Sequence, residues 1–263
     1  MLLINETEFP YTPESRLIDF VAEVKPGADL FIINGFPVDP ETLLQDNDKC
    51  WLIKRGEIPT ESEMHHMLYA RHTPGVHEKV KEAAVGIMGL GGLGSQVAVA
   101  LARIGVGRLL LADFDLVEPS NLNRQQYFID QIGLKKTAAM KANLVRINPY
   151  VLVDIIDTRL TEDSIPKHFK SVDVLAECFD SAEMKAAALR AAMTGLSGTG
   201  YVGSSGLAGY GPNNMISTRK LYPGIYLVGD GCSAAGPGTG LMAPRVGIAA
   251  HHQANKILQL LLE

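Results

Sequence analysis

Residues 84–105, AVGIMGLGGLGSQVAVALARIG, constrain this chain more than any other stretch. A short apolar run reads as a buried strand, Gly89-x-Gly91-x-x-Gly94 follows it, and a helix begins near Ser95. Glycines permit the tight turn and let backbone approach a phosphate closely, while the helix N-terminus adds free N–H groups and a favourable dipole. Asp113 ends the next strand, about twenty residues on, where a carboxylate can accept hydrogen bonds from ribose hydroxyls. Taken together these features point to a nucleotide, and they serve NAD and ATP equally well. A plain strand–turn–helix is the bland alternative.

From Ala83 the chain alternates strands (AVGIM, RLLLAD, VLVDIID, VDVLAEC, GIYLVG) with helices starting near Ser95, Lys135, Ala182 and Ala243. Such alternation predicts a Rossmann-like α/β domain, a mostly parallel sheet with helices on both faces. The Gly-rich stretches 198–211 and 229–240 read as flexible loops lining a site. Residues 1–54 have another texture. LLINE and the segment near Phe9 suggest a hairpin, and Leu17, Phe20, Val21 and Val24 recur at helical spacing. DLFIING, closed by Asn34-Gly35, and KCWLIKR complete a strand–strand–helix–strand–strand order, that of a small β-grasp domain. Residues 61–70 predict a short helix ending before Arg71 and the breaker Pro74-Gly75. The expected division is therefore 1–60, a connecting segment 61–82, and an ATP-binding domain 83–263.

The block ADFDLVEPSNLNRQQ, residues 112–126, separates the two nucleotide readings. Asn121, Arg124, Gln125 and, after a loop, Lys136 bring two cations and several amides toward one anion. Fixed positive charge suits a triphosphate attacked at its α-phosphorus, because it stabilises charge developing there. A nicotinamide cofactor gains nothing from it. A solvated loop with ordinary salt bridges is the competing explanation. Asp180 closes VDVLAECFD at the carboxyl end of the sheet, where it can hold Mg²⁺ against phosphates or cap the following helix.

Length and composition fit an ordinary globular chain: 263 residues, 46% hydrophobic, 20% charged. A net charge of −5 without a basic run argues against nucleic acid as the main partner. No apolar stretch reaches membrane-spanning length and the first residues lack signal-peptide character, so a cytoplasmic setting is expected. The three cysteines, Cys50, Cys178 and Cys232, form no C-x-x-C pair, so no zinc is expected. Cys178 reads as core, and Cys232 as a turn residue or a nucleophile near the site. His65, His66, His72, His77, His251 and His252 lack a metal-ligand pattern and read as surface or interface residues.

GLGGLGSQVAVALARIGVGRLLLADFDLVEPSNLNRQQ, then IGLKK and RINP, resembles the ThiF/MoeB/HesA family of ubiquitin-activating-type adenylating enzymes. The likeness runs from about Arg71 to the last helix, and is greatest to a short ThiF form. It implies a homodimer or pseudo-dimer that binds ATP·Mg²⁺ and adenylylates the terminal glycine of a ubiquitin-fold carrier, releasing pyrophosphate. Gly89, Gly91, Gly92 and Gly94 match the nucleotide loop, and Asp113 the ribose-binding aspartate. Asn121, Arg124, Gln125 and Lys136 match the phosphate-contacting set, and Asp180 the catalytic aspartate near the metal. Arg71, in LYARHTPG, matches in part the segment that lends an arginine to the neighbouring subunit's phosphates; Leu68 stands where that segment has a first arginine.

Residues 1–54 are similar to the sulfur carrier ThiS, but WLIKRGEIP runs on where a carrier would end in a free Gly-Gly. This domain is therefore expected to dock, pack a dimer or regulate rather than to be the substrate. The implied partners are a separate ThiS-like carrier ending in Gly-Gly and a sulfur-donor protein, in thiamin thiazole synthesis or a related route. Competing readings are adenylation of a tRNA-modification or small-molecule carboxylate, an NAD-dependent oxidoreductase, and a non-catalytic scaffold.

Overall fold

The computed structural model describes residues 1–73 and 75–263, so the breaker expected at Pro74 lies outside the described residues. The chain divides into two compact units, Met1–Glu78 and Lys79–Glu263.

In the first unit β1 (Leu2–Ile4), β2 (Thr7–Phe9), β3 (Leu30–Ile33), β4 (Phe36–Val38) and β5 (Lys49–Ile53) form a sheet of order β2-β1-β5-β3-β4. β1 runs parallel to β5, and the other pairs are antiparallel. Alternation along β3 and β5 gives the sheet two apolar faces. Phe31, Ile33, Cys50 and Leu52 pack under Leu17, Phe20 and the short helix α1 (Val21–Val24). Ile32, Trp51 and Ile53 face the other way, against Met67 and Ala70 of α2 (Glu61–Arg71). β4 was not anticipated: three residues around Pro37 give too little periodicity to read. Asn34 and Gly35, at φ +51° and +85°, make the tight turn before it.

The second unit begins within α3 (Val76–Glu82), which no sequence pattern announced. Its seven strands are β6 (Ala84–Met88), β7 (Arg108–Ala112), β8 (Leu152–Ile156), β9 (Val174–Glu177), β10 (Gly200–Ser204), β11 (Ser217–Tyr222) and β12 (Ile225–Gly229). Their order is β11-β12-β10-β9-β6-β7-β8, and only β11 is antiparallel to its neighbour. α4 (Gly92–Arg103), α5 (Lys136–Ile147) and α8 (Ala243–Leu262) pack together, while α6 (Ile165–Phe169) and α7 (Ala182–Gly195) cover the opposite face. The chain leaves β6 toward β7 and β8, then returns to β9 on β6's other side. That reversal opens a crevice at the carboxyl ends of β6 and β9, where open α/β sheets bind ligands. Among the described residues no helix is long and apolar enough to cross a membrane.

One expectation is corrected here. The stretch 198–211 is not wholly loop: Gly200–Ser204 is strand β10, buried between β9 and β12. Its glycines serve packing rather than flexibility. A methyl at Gly203 would sit 2.9 Å from side-chain atoms of Leu227 and Tyr201. β11 escaped notice because STRKLY is polar and exposed along an edge.

Candidate nucleotide site

β6 ends at Met88, and Gly89 turns the chain at φ +88° while its N–H donates to the Ala112 carbonyl at 2.8 Å. A Cβ at Gly89 would lie 2.9 Å from the Cys178 carbonyl oxygen, and one at Gly94 would overlap the Gly89 carbonyl. Both positions exclude a side chain. Gly91 stands at the N-cap of α4 and brings no side-chain cap, so this helix end keeps free N–H groups for an anion. Asp113 fixes the loop from the next strand. Its Oδ2 accepts from Leu90 N at 2.6 Å and its Oδ1 from Asp115 N at 2.8 Å.

The segment 113–136 folds over this loop as a strap. The Ser95 hydroxyl accepts from Gln126 N at 3.1 Å, the Gln96 amide donates to Arg124 O at 3.2 Å, and the Tyr127 hydroxyl donates to Leu90 O at 2.9 Å. Burial, then the carboxylates of Asp113 and Asp115, push the Tyr127 phenol far up, so it stays a neutral donor. Asn121 is buried and acts locally: its Oδ1 accepts from Glu118 N, and its carbonyl from Arg124 N and Gln125 N. The stem of Arg124 runs beside the loop, its Cγ 3.4 Å from where a Cβ of Gly92 would lie. Its guanidinium donates to Ser120 O and to Asn123 Oδ1. Gln125 is buried near Gly91, and its Oε1 has no hydrogen-bond partner among the described residues. Lys136, 6% exposed at the start of α5, pairs with Asp115 Oδ2 at 3.0 Å, and Asp115 itself donates to Asp113. The glycines, Asp113, Asn121, Arg124, Gln125 and Lys136 thus fall in one neighbourhood.

Asp180 is exposed in the turn after β9, two residues beyond the Cys178 carbonyl that faces Gly89. It does not cap α7; Ser181 does, accepting from Met184 N at 3.4 Å. Arg71 belongs to the first unit, exposed in the last turn of α2.

Two buried charge clusters at this end of the sheet escaped the sequence reading. Glu177, 1% exposed, accepts from Phe179 N and from Lys185 Nζ at 2.9 Å, and Ser204 N donates to its other oxygen. Asp230 and Arg245 pair at 2.7 Å, both buried. Arg245 also donates to the carbonyls of Gly211 and Pro212, while Asp230 accepts from Cys232 N and Ser233 N at 2.8 Å. Burial pushes the Asp230 carboxyl up, but the Ser233 and Cys232 N–H groups, the Ser233 hydroxyl and Arg245 outweigh it. They hold it well below the usual carboxylate range. Loops 205–212 and 230–242 are therefore clamped together, against the expectation of free flexibility. They adjoin the strap, since Asn123 Nδ2 donates to Leu241 O at 3.0 Å, and Val246 lies against Gly92. A single acid inside the apolar VLAEC was the only available hint of Glu177.

Cys178 is buried and its thiol is pushed far up by burial; Cys232 is exposed in the second clamped loop. The surface reading of the histidines fails for His77, which is 3% exposed and has its ring beside those of His65 and His72. His66 stacks on Trp51 with ring centroids 3.3 Å apart. His65, His66 and His72 are half-buried, and only His77 is fully so.

An open, doubly wound α/β domain with its glycine loop at the switch point and cations folded over that loop narrows the class considerably. Residues 65–263 match the ThiF family and residues 1–56 match the ThiS-like ubiquitin model, so the chain belongs to the ThiF family and carries a ThiS-like domain at its N-terminus. It is 37% identical over 109 residues to the molybdopterin-synthase adenylyltransferase of Haemophilus influenzae, covering 41% of this chain and 45% of that one. It is 44% identical over 85 residues to ubiquitin-like modifier-activating enzyme 5 of Arabidopsis thaliana, covering 32% of this chain and 20% of that one. The chain spans less than half the length of these curated relatives. The structure of E. coli tRNA N6-threonylcarbamoyladenosine dehydratase in complex with ATP has the same fold. It superposes with a TM-score of 0.68 at 21% identity, over 78% of this chain and 97% of that one.

Proposed function

We propose that this chain is an adenylyltransferase for the C-terminal glycine of a separate, ThiS-like ubiquitin-fold sulfur carrier. Thiamin thiazole synthesis or a related sulfur-transfer route is its setting, with a sulfur-donor protein acting downstream. A carrier carboxylate oxygen attacks the α-phosphorus of ATP, the bond from that phosphorus to the β-phosphate oxygen breaks, and pyrophosphate leaves. The glycine loop and the uncapped start of α4 receive the phosphates. Asp113 holds the ribose, Asn121 and Gln125 shape the strap, and Arg124 and Lys136 offset charge developing on the phosphates. Asp180, exposed in the turn after β9, would hold Mg²⁺ together with phosphate oxygens, one carboxylate being a usual protein contribution to such a site, and the ion would offset phosphate charge there. Arg71 reaches the phosphates of a neighbouring subunit in a homodimer.

The observation that carries this reading is the strap itself. Arg124 lies along Gly92, and Lys136 joins the Asp115–Asp113 chain that fixes Leu90. Those cations serve a triphosphate attacked at its α-phosphorus better than a dinucleotide's pyrophosphate, where no bond changes and no charge develops. A homodimer is supported by exposed apolar side chains on and beside the strap: Phe128, Ile129, Ile132 and Leu134, with Leu152 at the β8 edge.

Asp180→Ala is expected to abolish adenylate formation while ATP binding partly survives. Arg124→Ala should lower turnover on the order of 100-fold with little change in thermal stability. Unchanged turnover in both variants would remove these assignments.

A further inference from the structure

The residues on either side of Asp180 are tied into a closed ring. Glu177, the last residue of β9, is 1% exposed and turns its side chain along the chain, so that its Oε1 accepts from Phe179 N at 2.7 Å. Asp180 follows, and then Ser181, whose hydroxyl caps α7 and whose carbonyl accepts from Lys185 N at 3.0 Å. One turn into α7, the Lys185 ammonium donates back to Glu177 Oε1 at 2.9 Å and closes the ring. β10 braces the closure: Lys185 Nζ also donates to Ser204 Oγ at 2.7 Å, and Ser204 N donates to Glu177 Oε2 at 3.2 Å. One side of the ring leans on the glycine loop. A Cβ at Gly89 would meet the Cys178 carbonyl oxygen at 2.9 Å and the Phe179 ring at 3.5 Å. Asp180 takes no part in these bonds. Its carboxylate is exposed, and among the described residues no cation or N–H group pairs with it.

We infer that Glu177 and Lys185 are positioning residues, which lock the turn from 178 to 181 and so set Asp180 for a metal–phosphate ligand at the glycine loop. The inference rests on the adenylation reading above and deepens it at one residue. A buried carboxylate is costly unless a cation and N–H groups satisfy it, and Glu177 has both. What the arrangement secures is the first amide beyond the ladder. Cys178 N still donates to Met88 O of β6, whereas Phe179 N has passed the strand end and donates to Glu177. Pre-organisation is the physical gain: a carboxylate on a loose turn must be ordered when the ligand arrives, and on a locked turn it is ordered beforehand. The glycine loop is held separately, by Asp113 on Leu90 N and the Ala112 carbonyl on Gly89 N, so opening the ring leaves the rest of the cradle in place.

The test is a binding cycle on the full chain by calorimetry, with two probes, ATP with Mg²⁺ and ATP in excess EDTA. Asp180→Ala is expected to weaken MgATP about tenfold, the scale of one lost charge-assisted contact, and to leave metal-free ATP within about twofold. The double variant Glu177→Gln, Lys185→Met keeps the side-chain volumes, removes both charges and opens the ring. It should weaken MgATP several-fold with the same sparing of metal-free ATP, and Lys185→Arg, which keeps the ring closed, should bind MgATP as the wild type does. In the Asp180→Ala background the double variant should add less than about twofold, because coupled residues do not act additively. Hydrogen exchange should show the Phe179 amide losing protection in the double variant while β6 and β9 keep theirs. If the double variant fails to fold, Glu177→Gln alone opens the ring, leaves Lys185 free to turn to solvent, and is read identically. The inference is overturned by equal loss of both probes, by full additivity with Asp180→Ala, or by unchanged MgATP binding once the ring is open. An Asp180→Ala chain that binds MgATP normally also overturns it, while leaving adenylation standing. Failure of the wild-type chain to bind ATP at all would instead remove the reading beneath it.

Discussion

Two glycine-rich regions meet the same end of the seven-stranded sheet, and they are held in opposite ways. In the 89–94 loop the glycines are forced: Gly89 and Gly94 leave no room for a methyl group against Cys178 and Gly89 carbonyls. In the 230–242 loop Gly236, Gly238 and Gly240 have open space around them. That loop takes its shape from one buried ion pair, Asp230–Arg245, and the backbone N–H groups gathered on Asp230. The first region is a cradle whose backbone is fixed by steric exclusion, suited to a ligand of invariant shape. The second is held by scattered hydrogen bonds, among them Gly209 N to Gly240 O at 2.9 Å and Asn123 Nδ2 to Leu241 O at 3.0 Å, with open space at its glycines between them. Each region carries four glycines, yet they follow two designs, and only neighbouring atoms distinguish them.

The comparison can be broken most forcefully at the clamp. Arg245→Ala leaves Asp230 buried without its cation and should destabilise the chain by about 3–5 kcal/mol in denaturant unfolding. An effect near zero would show that the second region needs no clamp. Next comes Gly94→Ala, where overpacking against Gly89 is expected to cost about 1–3 kcal/mol and to abolish detectable ATP binding in calorimetry. Normal affinity would contradict the steric account of the first region.

Acid titration sharpens the contrast. Because the Asp230 carboxyl is held below its unfolded value of about 3.9, its contribution is complete above that pH. It is lost as pH falls toward the folded value. Wild-type stability should therefore drop more steeply than that of Asp230→Asn between about pH 4 and pH 2, and equal slopes would argue against the assignment. The smallest effect belongs to Gly236→Ala, expected within about 0.5 kcal/mol of wild type because nothing lies within reach of the new methyl.

Much of the architecture was legible because burial leaves a period in the sequence. β6, β7 and β9 are apolar runs bounded by turns, and α4 and α8 carry clear apolar faces. The elements that escaped were short, glycine-bearing or exposed. α6 has five residues including Pro166, β10 reads GYVGS, and β11 has solvent on both sides. The strap was legible as a set of residue types, since Arg124, Gln125 and Lys136 follow Asp113 closely. That Lys136 pairs with Asp115, and that Asn121 spends its side chain on its own turn, are geometric facts without a sequence signal. Glu177 and the Asp230–Arg245 pair were invisible for a related reason. A charge is buried only with a partner, and these partners lie 8 and 15 residues away along no regular repeat.

The most direct test of the central claim is ATP–pyrophosphate exchange with Mg²⁺, using ubiquitin-fold proteins ending in Gly-Gly and the same proteins lacking the terminal glycine. Exchange is expected with at least one intact carrier and none with its truncated form. Exchange indifferent to that glycine would reassign the site to another carboxylate. ATP binding without exchange, or binding of NAD in place of ATP, would contradict the account.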